Sequence, residues 1–307
     1  MAAPRDGEVS ARACLHAFCV PTNDSDYIAR TFGGTPDDDG IVRRCGPCKA
    51  GRHLPLLAPT LAIVIIVCYF TSPGVYDNGR AKEFAPFVYG GWPSSGAWYT
   101  CLGTFLVHLG PVHLWMNVAF LAVIGSLIEM TEGTTRLALM LWGAQTLGMG
   151  LNGAVSTSGR GAVGASAACY GCLWAQVALM LHNWQEMPLR FLRLTACILL
   201  IVAEIVMISA GMQQGTAIGA HVFGATTAVT VGLGLAVNVT RRRWEVALNV
   251  LGATGYVGHV AAALATGQTA PALLGLITWP ILVLWAGHEV RENWRAGQRK
   301  ALQVQPE

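Results

Sequence analysis

Four polar residues with the side chains of acyl-transfer chemistry lie in apolar segments of this chain. Ser166 and His221 lie near the start of two different apolar runs, and His113 and Asn117 lie one helical turn apart on a third. Polar side chains inside membrane helices cost free energy, so each needs a reason to be there. A serine nucleophile, a histidine base and donors for an oxyanion are the groups that covalent acyl transfer uses. These residues predict peptide-bond hydrolysis within a membrane.

The composition is that of a membrane protein. Of the 307 residues, 53% are hydrophobic and only 12% are charged, whereas soluble domains average roughly 25% charged residues. The formal net charge of +3 is too small to indicate nucleic-acid binding. The nine cysteines show no spacing typical of a disulfide framework. We therefore expect most of the chain to lie in lipid.

Apolar runs of near-spanning length recur along the chain and predict an all-α, polytopic helical bundle. A helix needs about 20 apolar residues to cross a bilayer core, with a range of about 17–25. Two of the runs are less regular, because the seventh is glycine-rich and Pro280 interrupts the eighth. The predicted spans are 54–70, 103–128, 135–153, 165–183, 191–210, 218–238, 246–265 and 271–287.

The positions of the basic residues predict the orientation of the bundle. Short cytoplasmic loops carry an excess of Lys and Arg, and the basic segments fall on one side if the spans alternate. They are 43–52, Arg136, 190–193, 241–243 and 291–300. Both termini are then cytoplasmic, and the loop 71–100 lies on the outer or luminal face. The four polar residues belong to the outer half of the membrane.

Each candidate residue also has a purely structural interpretation. Ser166 can be a small residue at a helix contact, although Gly164 before it allows a tight turn into a helix whose free N–H groups suit an oxyanion. Tyr170 lies one turn later on the same face, where an interfacial aromatic is the alternative. His113 and Asn117 can act as oxyanion donors or simply bridge membrane helices.

His221 precedes a seam of small residues. Gly224 and Ala228 are four apart, a spacing that lets two membrane helices approach closely. If this seam packs on the span that carries Ser166, the imidazole can act as its general base. The alternative is a buried histidine bonded to a carbonyl group.

Several motifs, in a fixed order, resemble those of the rhomboid intramembrane serine proteases. The resemblance runs through about residues 54–240. Any one of the motifs is weak, whereas the ordered set on matching spans is specific. The motifs are His108 followed by His113-Leu-x-x-Asn117, Glu129-x-x-x-Gly133-x-x-Arg136, Gly164-Ala-Ser166-Ala167 with Tyr170, and Ala220-His221-x-x-Gly224.

The resemblance implies an intramembrane serine endopeptidase with a six-helix core. It implies a Ser166–His221 dyad without a catalytic aspartate, and an oxyanion hole made by the Ser166 N–H with His113 and Asn117. Its substrates would be single-span membrane proteins, cleaved near the outer face in the lipid bilayer. It implies no metal and no organic cofactor, and the small net charge indicates no nucleic-acid partner.

Two departures from the family pattern support an alternative function. The motif around the serine ends in Ala167 instead of glycine, and the outer-loop tryptophan–arginine pair of the family is Trp98-Tyr99 here. The alternative is a catalytically weak or inactive rhomboid-like protein that binds and escorts membrane clients.

The predicted organisation has four parts. Residues 1–53 form a cytosolic tail, 54–240 the six-helix core, 241–290 one or two extra membrane helices, and 291–307 a second cytosolic tail. The first tail has an acidic run, which disfavours mitochondrial targeting and favours a secretory-pathway (Golgi or endomembrane) or plasma membrane. This tail is either disordered or binds zinc through Cys14, His16, Cys19, Cys45, Cys48 and His53.

Overall fold

The fold is helical throughout the residues that the computed structural model describes. These are residues 55–71, 98–156, 162–184, 190–209, 217–236, 243–287 and 290–291, and they contain no β-strand. The predicted all-α class is confirmed. The candidate zinc ligands of the first tail and most of the outer loop 71–100 lie outside the described residues.

The helices follow the predicted apolar runs closely. A π-helical turn, Leu121–Gly125, joins the third helix to the fourth, and a further helical stretch, 279–287, follows the tenth helix after three turn residues. The helices are α1 (Leu57–Thr71), α2 (Thr100–Gly103) with a 3₁₀ turn (Thr104–Leu106), α3 (Pro111–Phe120), α4 (Ser126–Glu132), α5 (Thr134–Val155), α6 (Ser166–His182), α7 (Arg190–Ser209), α8 (Ile218–Leu235), α9 (Arg243–Ala265) and α10 (Thr269–Gly275).

Four of the described segments have the length and composition of membrane spans: Pro111–Glu129, Ile218–Leu235, Trp244–Ala265 and Thr269–Gly287. A shorter apolar helix, Leu57–Thr71, precedes them. The protein is therefore an integral, multi-pass membrane protein. Both of the less regular C-terminal runs are helical and long enough to cross a bilayer, so the segment after the predicted core holds two such helices.

The second apolar run begins later as a helix than its hydropathy predicts. The run was expected to start near residue 103, but α3 starts at Pro111. Gly110 has φ +133°, and Pro111 occupies the first helical position, where its fixed φ and missing N–H are favourable. His113 consequently lies in the first turn of α3, nearer the helix start than the predicted span of 103–128 placed it.

α8 lies at the centre of the bundle, and glycines allow its neighbours to approach its backbone. A methyl group on Gly224 would overlap the Ala167 carbonyl oxygen of α6, and one on Gly148 of α5 would lie 2.9 Å from the Gly224 nitrogen. A methyl group on Gly252 of α9 would overlap the nitrogen of Gly234. Such contacts replace the hydrophobic driving force that is absent between helices in lipid.

Side chains from three helices satisfy the last carbonyl groups of α8. Arg136 Nε donates to the Leu235 carbonyl at 2.9 Å, whereas His182 Nε2 (2.8 Å) and Asn249 Nδ2 (2.9 Å) contact the carbonyl oxygen of Leu233. The final carbonyl groups of a helix have no partner within it, and in lipid they need one from the protein. These bonds attach α5, α6 and α9 to the same end of α8.

The Glu129–Gly133–Arg136 motif joins α1 to this end of the bundle. The carboxylate of Glu129 accepts from the N–H groups of Leu57 (2.9 Å) and Ala58 (3.0 Å), at the start of α1. Gly133, with φ +87°, makes the turn between α4 and α5. The motif is therefore structural and lies at the end of the bundle opposite Ser166.

Candidate active site

Ser166 is the first residue of α6, and Gly164 makes the turn that leads into the helix. Gly164 has φ +112°, and a methyl group there would lie 2.6 Å from Cε1 of His113. Only glycine fits both the backbone angle and the space. The turn before Ser166 therefore lies directly against the imidazole of His113, which brings α3 to the start of α6.

A stack of aromatic rings places His221 on the same face of α6 as Ser166. The ring of Tyr170 lies parallel to the imidazole of His221, with centroids 4.0 Å apart and 13° between the planes. Phe120 of α3 continues the stack, 6.4 Å from Tyr170. Because Tyr170 is one helical turn after Ser166, the stack orients His221 toward the turn that carries the serine. Ser166 and His221 are 7% and 8% exposed.

The two predicted oxyanion donors lie on the adjacent face of α3. The Leu109 N–H donates to His113 Nδ1 at 3.5 Å, which favours the tautomer with its proton on Nε2. Asn117 is 4% exposed, and its Nδ2 has no hydrogen-bond partner among the residues that the structure describes. A buried donor left unpaired costs about 1–3 kcal/mol, so this amide group is available to a ligand that enters the site.

His108 lies beside this pair. Its ring centroid is 5.1 Å from that of His113, and the side chain is only 1% exposed. Residues 72–97 of the loop that precedes this segment lie outside the described part of the chain.

Ala167, the departure from the family motif, fits its surroundings. Its side chain is fully buried in a small apolar cluster with Cys101, Met149, Ala162 and Ala220. Two of these neighbours are alanines, so the space next to the methyl group is made by small side chains. The carbonyl of the same residue faces Gly224.

The second departure, Trp98-Tyr99, lies at the start of α2. The two side chains are 59% and 40% exposed and meet edge to face at 5.9 Å. The Tyr99 carbonyl accepts from the N–H groups of Leu102 and Gly103, so this pair begins the short helix that precedes α3.

The turn before Ser166 has two further anchors that sequence reasoning missed. The Gly164 N–H donates to the Thr104 carbonyl at 2.8 Å. Gln145 of α5, only 2% exposed, donates to the Gly164 carbonyl at 3.1 Å. The signal in the sequence was an amide side chain in a largely apolar span, which also contains Asn152.

The arrangement brings together all the residues predicted for the site. Ser166 with Gly164, His221 with Gly224, and His113 with Asn117 come from three helices and meet at one end of the bundle. The chemistry available there is nucleophilic attack by a hydroxyl, proton transfer through an imidazole and stabilisation of an oxyanion. The catalytic roles of these residues remain predictions.

Comparison with known proteins finds a family match for the central part of the chain. Residues 95–238 match the Rhomboid domain. The chain is 30% identical over 189 residues to Rhomboid-related protein 1 of Caenorhabditis elegans, covering 57% of this chain and 47% of that protein. It is 29% identical over 112 residues to rhomboid protease GluP of Bacillus subtilis, covering 36% of this chain and 21% of that protein. The matches thus span about half of the worm relative and about a fifth of the bacterial one. Residues 95–238 are a Rhomboid domain, so this part of the chain is similar to the rhomboid proteins.

Proposed function

We propose that this protein is an intramembrane serine endopeptidase that uses a Ser166–His221 dyad. The observation that carries the proposal is the convergence of three helices at Ser166. Tyr170 of α6 holds the His221 imidazole of α8 by stacking, and His113 of α3 lies against the turn that precedes the serine. The name of the bacterial relative, a rhomboid protease, supports the same function.

The proposed reaction proceeds through an acyl-enzyme. His221 takes the proton from Ser166 Oγ as the oxygen attacks the carbonyl carbon of the scissile peptide bond. The negative charge on the carbonyl oxygen is stabilised by the Ser166 N–H, His113 and Asn117. His221 then gives its proton to the leaving amine. In the second half of the reaction, His221 takes a proton from a water molecule as the water attacks the ester, and Ser166 Oγ leaves with that proton.

We propose single-span membrane proteins as the substrates. The candidate site is formed by the start of three membrane helices, so it can accept a peptide bond near one face of the bilayer. The orientation predicted from the basic residues makes this the outer or luminal face of a secretory-pathway or plasma membrane. A helical substrate has its carbonyl groups bonded internally, so residues that weaken the helix near that face favour cleavage.

Labelling with a fluorophosphonate probe tests the proposal directly. In purified protein, wild type should be labelled, whereas Ser166→Ala and His221→Ala should not be, because the first lacks the nucleophile and the second its base. Cleavage of a single-span substrate should be lost in the same two variants. Substrate cleavage by Ser166→Ala at the wild-type rate would contradict the proposed dyad.

A second candidate function is the binding and escort of membrane clients without cleavage. The observation that favours it is Ala167, whose methyl group stands where the family motif has glycine, next to the proposed oxyanion site. Folded wild type that resists the probe, combined with labelling of Ala167→Gly, would show that this methyl group suppresses the chemistry and would favour the second function.

A further inference from the structure

Gln145 forms a buried hydrogen-bond network around the turn that carries Ser166. Its Nε2 donates to Thr104 Oγ1 at 3.0 Å and to the Gly164 carbonyl at 3.1 Å. Its Oε1 accepts from the Ala168 N–H at 3.3 Å. The reverse assignment of the amide atoms would put two donors face to face at Ala168, so the network fixes its orientation.

The bond to Ala168 replaces a missing helix cap. Ala165, the residue before α6, has no polar side chain to accept from the first turn, and the first intrahelical bond runs from the Cys169 N–H to the Ala165 carbonyl. The N–H groups of residues 166–168 therefore need partners outside the helix. Gln145 Oε1 accepts from the Ala168 N–H, the third of these groups. The N–H groups of Ser166 and Ala167 lie at the start of the helix, where the proposed oxyanion forms.

The other two bonds tie the same turn to the segment that leads into α3. The Thr104 hydroxyl oxygen accepts from Gln145 Nε2, and the Thr104 carbonyl accepts from the Gly164 N–H. The same hydroxyl donates to the Cys101 carbonyl at 3.1 Å. Thr104 is fully buried. The Gln145 amide thus connects the turn before the serine, the first turn of α6 and the chain that precedes His113.

We propose that Gln145 is a positioning residue for catalysis: it sets the place of the Ser166 N–H relative to His113, and so the geometry of the oxyanion hole. The inference rests on the proposed protease function. Gln145 acts without touching the substrate, because its amide group is already bonded to Thr104, Gly164 and Ala168. A misplacement of reacting groups by about 1 Å can cost about 100-fold in rate.

The test compares Gln145→Met with Trp142→Phe. Methionine keeps the length of the side chain but cannot make the three bonds. Trp142 lies one turn earlier on α5, and its indole Nε1 donates to the Leu274 carbonyl at 2.9 Å, away from the site. The control therefore also removes a hydrogen bond from α5. Each purified protein is labelled with a fluorophosphonate, and both the rate constant and the final labelled fraction are measured.

Positioning predicts a change in rate, whereas a purely structural role predicts a change in amplitude. For Gln145→Met we expect the labelling rate constant to fall about 100-fold while the final labelled fraction approaches that of wild type. The kcat for a peptide substrate should fall in parallel with little change in KM. Trp142→Phe should keep the wild-type rate constant. Thr104→Val, which removes only one of the three bonds to Gln145, should show a smaller decrease.

The outcomes separate the two proposals. A labelling rate constant of wild-type size in Gln145→Met and Thr104→Val, with any loss confined to the labelled fraction, would overturn the positioning role and leave the protease function intact. Folded wild type that shows no labelling would overturn the protease function, and the positioning role with it.

Discussion

At the scale of single residues, the site depends on side chains whose position is set by a neighbouring ring or glycine. The His221 imidazole is covered by the Tyr170 ring at 4.0 Å. The His113 imidazole occupies the space that a side chain at Gly164 would fill. Both contacts restrict the rotamers of the two histidines. The proposed base and donor are therefore preorganised before substrate enters.

Replacing the ring of Tyr170 tests this restriction. Tyr170→Ala removes the stacking partner of His221, and aromatic pairs contribute about 0.5–1.5 kcal/mol. If that energy holds the base in its productive rotamer, kcat should fall about 2- to 13-fold. Tyr170→Phe keeps the ring and should stay within about 2-fold of wild type. Equal losses in both variants, measured on the same peptide substrate, would instead indicate a role for the hydroxyl.

At the scale of helices, the approach of α6 to α8 is decided by glycine at the contact. The backbone of Gly224 lies against the Ala167 carbonyl, and Gly171 of α6 lies against Ala228, where an added methyl group would be 3.1 Å away. The small residues at four-residue spacing predicted this contact. It matters for function because the two proposed catalytic residues lie on the two helices that it joins.

Gly224→Ala should separate these helices. The new methyl group has to displace backbone, so we expect a loss of about 1–3 kcal/mol of unfolding free energy and a fall in kcat of about 100-fold. Gly258→Ala on α9 is the matched control, since its methyl group would meet nothing within 4 Å. That control should leave stability unchanged or raise it by up to about 1 kcal/mol. Titration with SDS in micelles measures the unfolding free energy, and substrate cleavage measures kcat. Equal results for Gly224→Ala and Gly258→Ala would contradict a functional role for the close contact at Gly224.

At the scale of the whole molecule, the two C-terminal helices are part of the packed core. Tyr256 of α9 is fully buried, and its hydroxyl donates to the Gly275 carbonyl at 2.8 Å. The guanidinium carbon of Arg136 lies 4.4 Å from the centre of the Trp285 ring. Asn249 of α9 contacts the end of α8. The helices after the Rhomboid domain thus contribute to the same network that holds α5 and α8 together.

A shortened chain tests this dependence. A chain that ends at residue 240 keeps the Rhomboid domain but loses α9 and α10. It removes the Asn249 amide from the Gly234 carbonyl at the end of α8, and an unpaired buried carbonyl costs about 1–3 kcal/mol; His182 still contacts the Leu233 carbonyl. We expect it to unfold at a lower SDS fraction than the full chain and to lose fluorophosphonate labelling. A chain that ends at residue 291 controls for length and should match the full protein. A 240-residue form that labels and unfolds like the full chain would show that the two helices are dispensable.

Much of this protein could be predicted from its sequence because lipid imposes simple rules. A membrane helix must be long and apolar, so the predicted spans lie close to the helices of the structure. A polar residue in such a helix needs a reason, so Ser166, His221, His113 and Asn117 were found as candidates. The start of α3 was misplaced because hydropathy does not register the positive φ of Gly110 or the helix-starting preference of Pro111.

By itself, the sequence determined the helical class, the approximate spans and the set of polar residues available for chemistry, since these depend on local composition and spacing. Only the tertiary structure decided which of those residues meet. Gln145 and Thr104 are 41 positions apart, and Arg136 reaches a carbonyl group 99 residues away. Such partners are chosen by how helices pack, and packing depends on where glycines let backbones approach. No local pattern around Gln145 could therefore have shown that its amide holds the turn before Ser166.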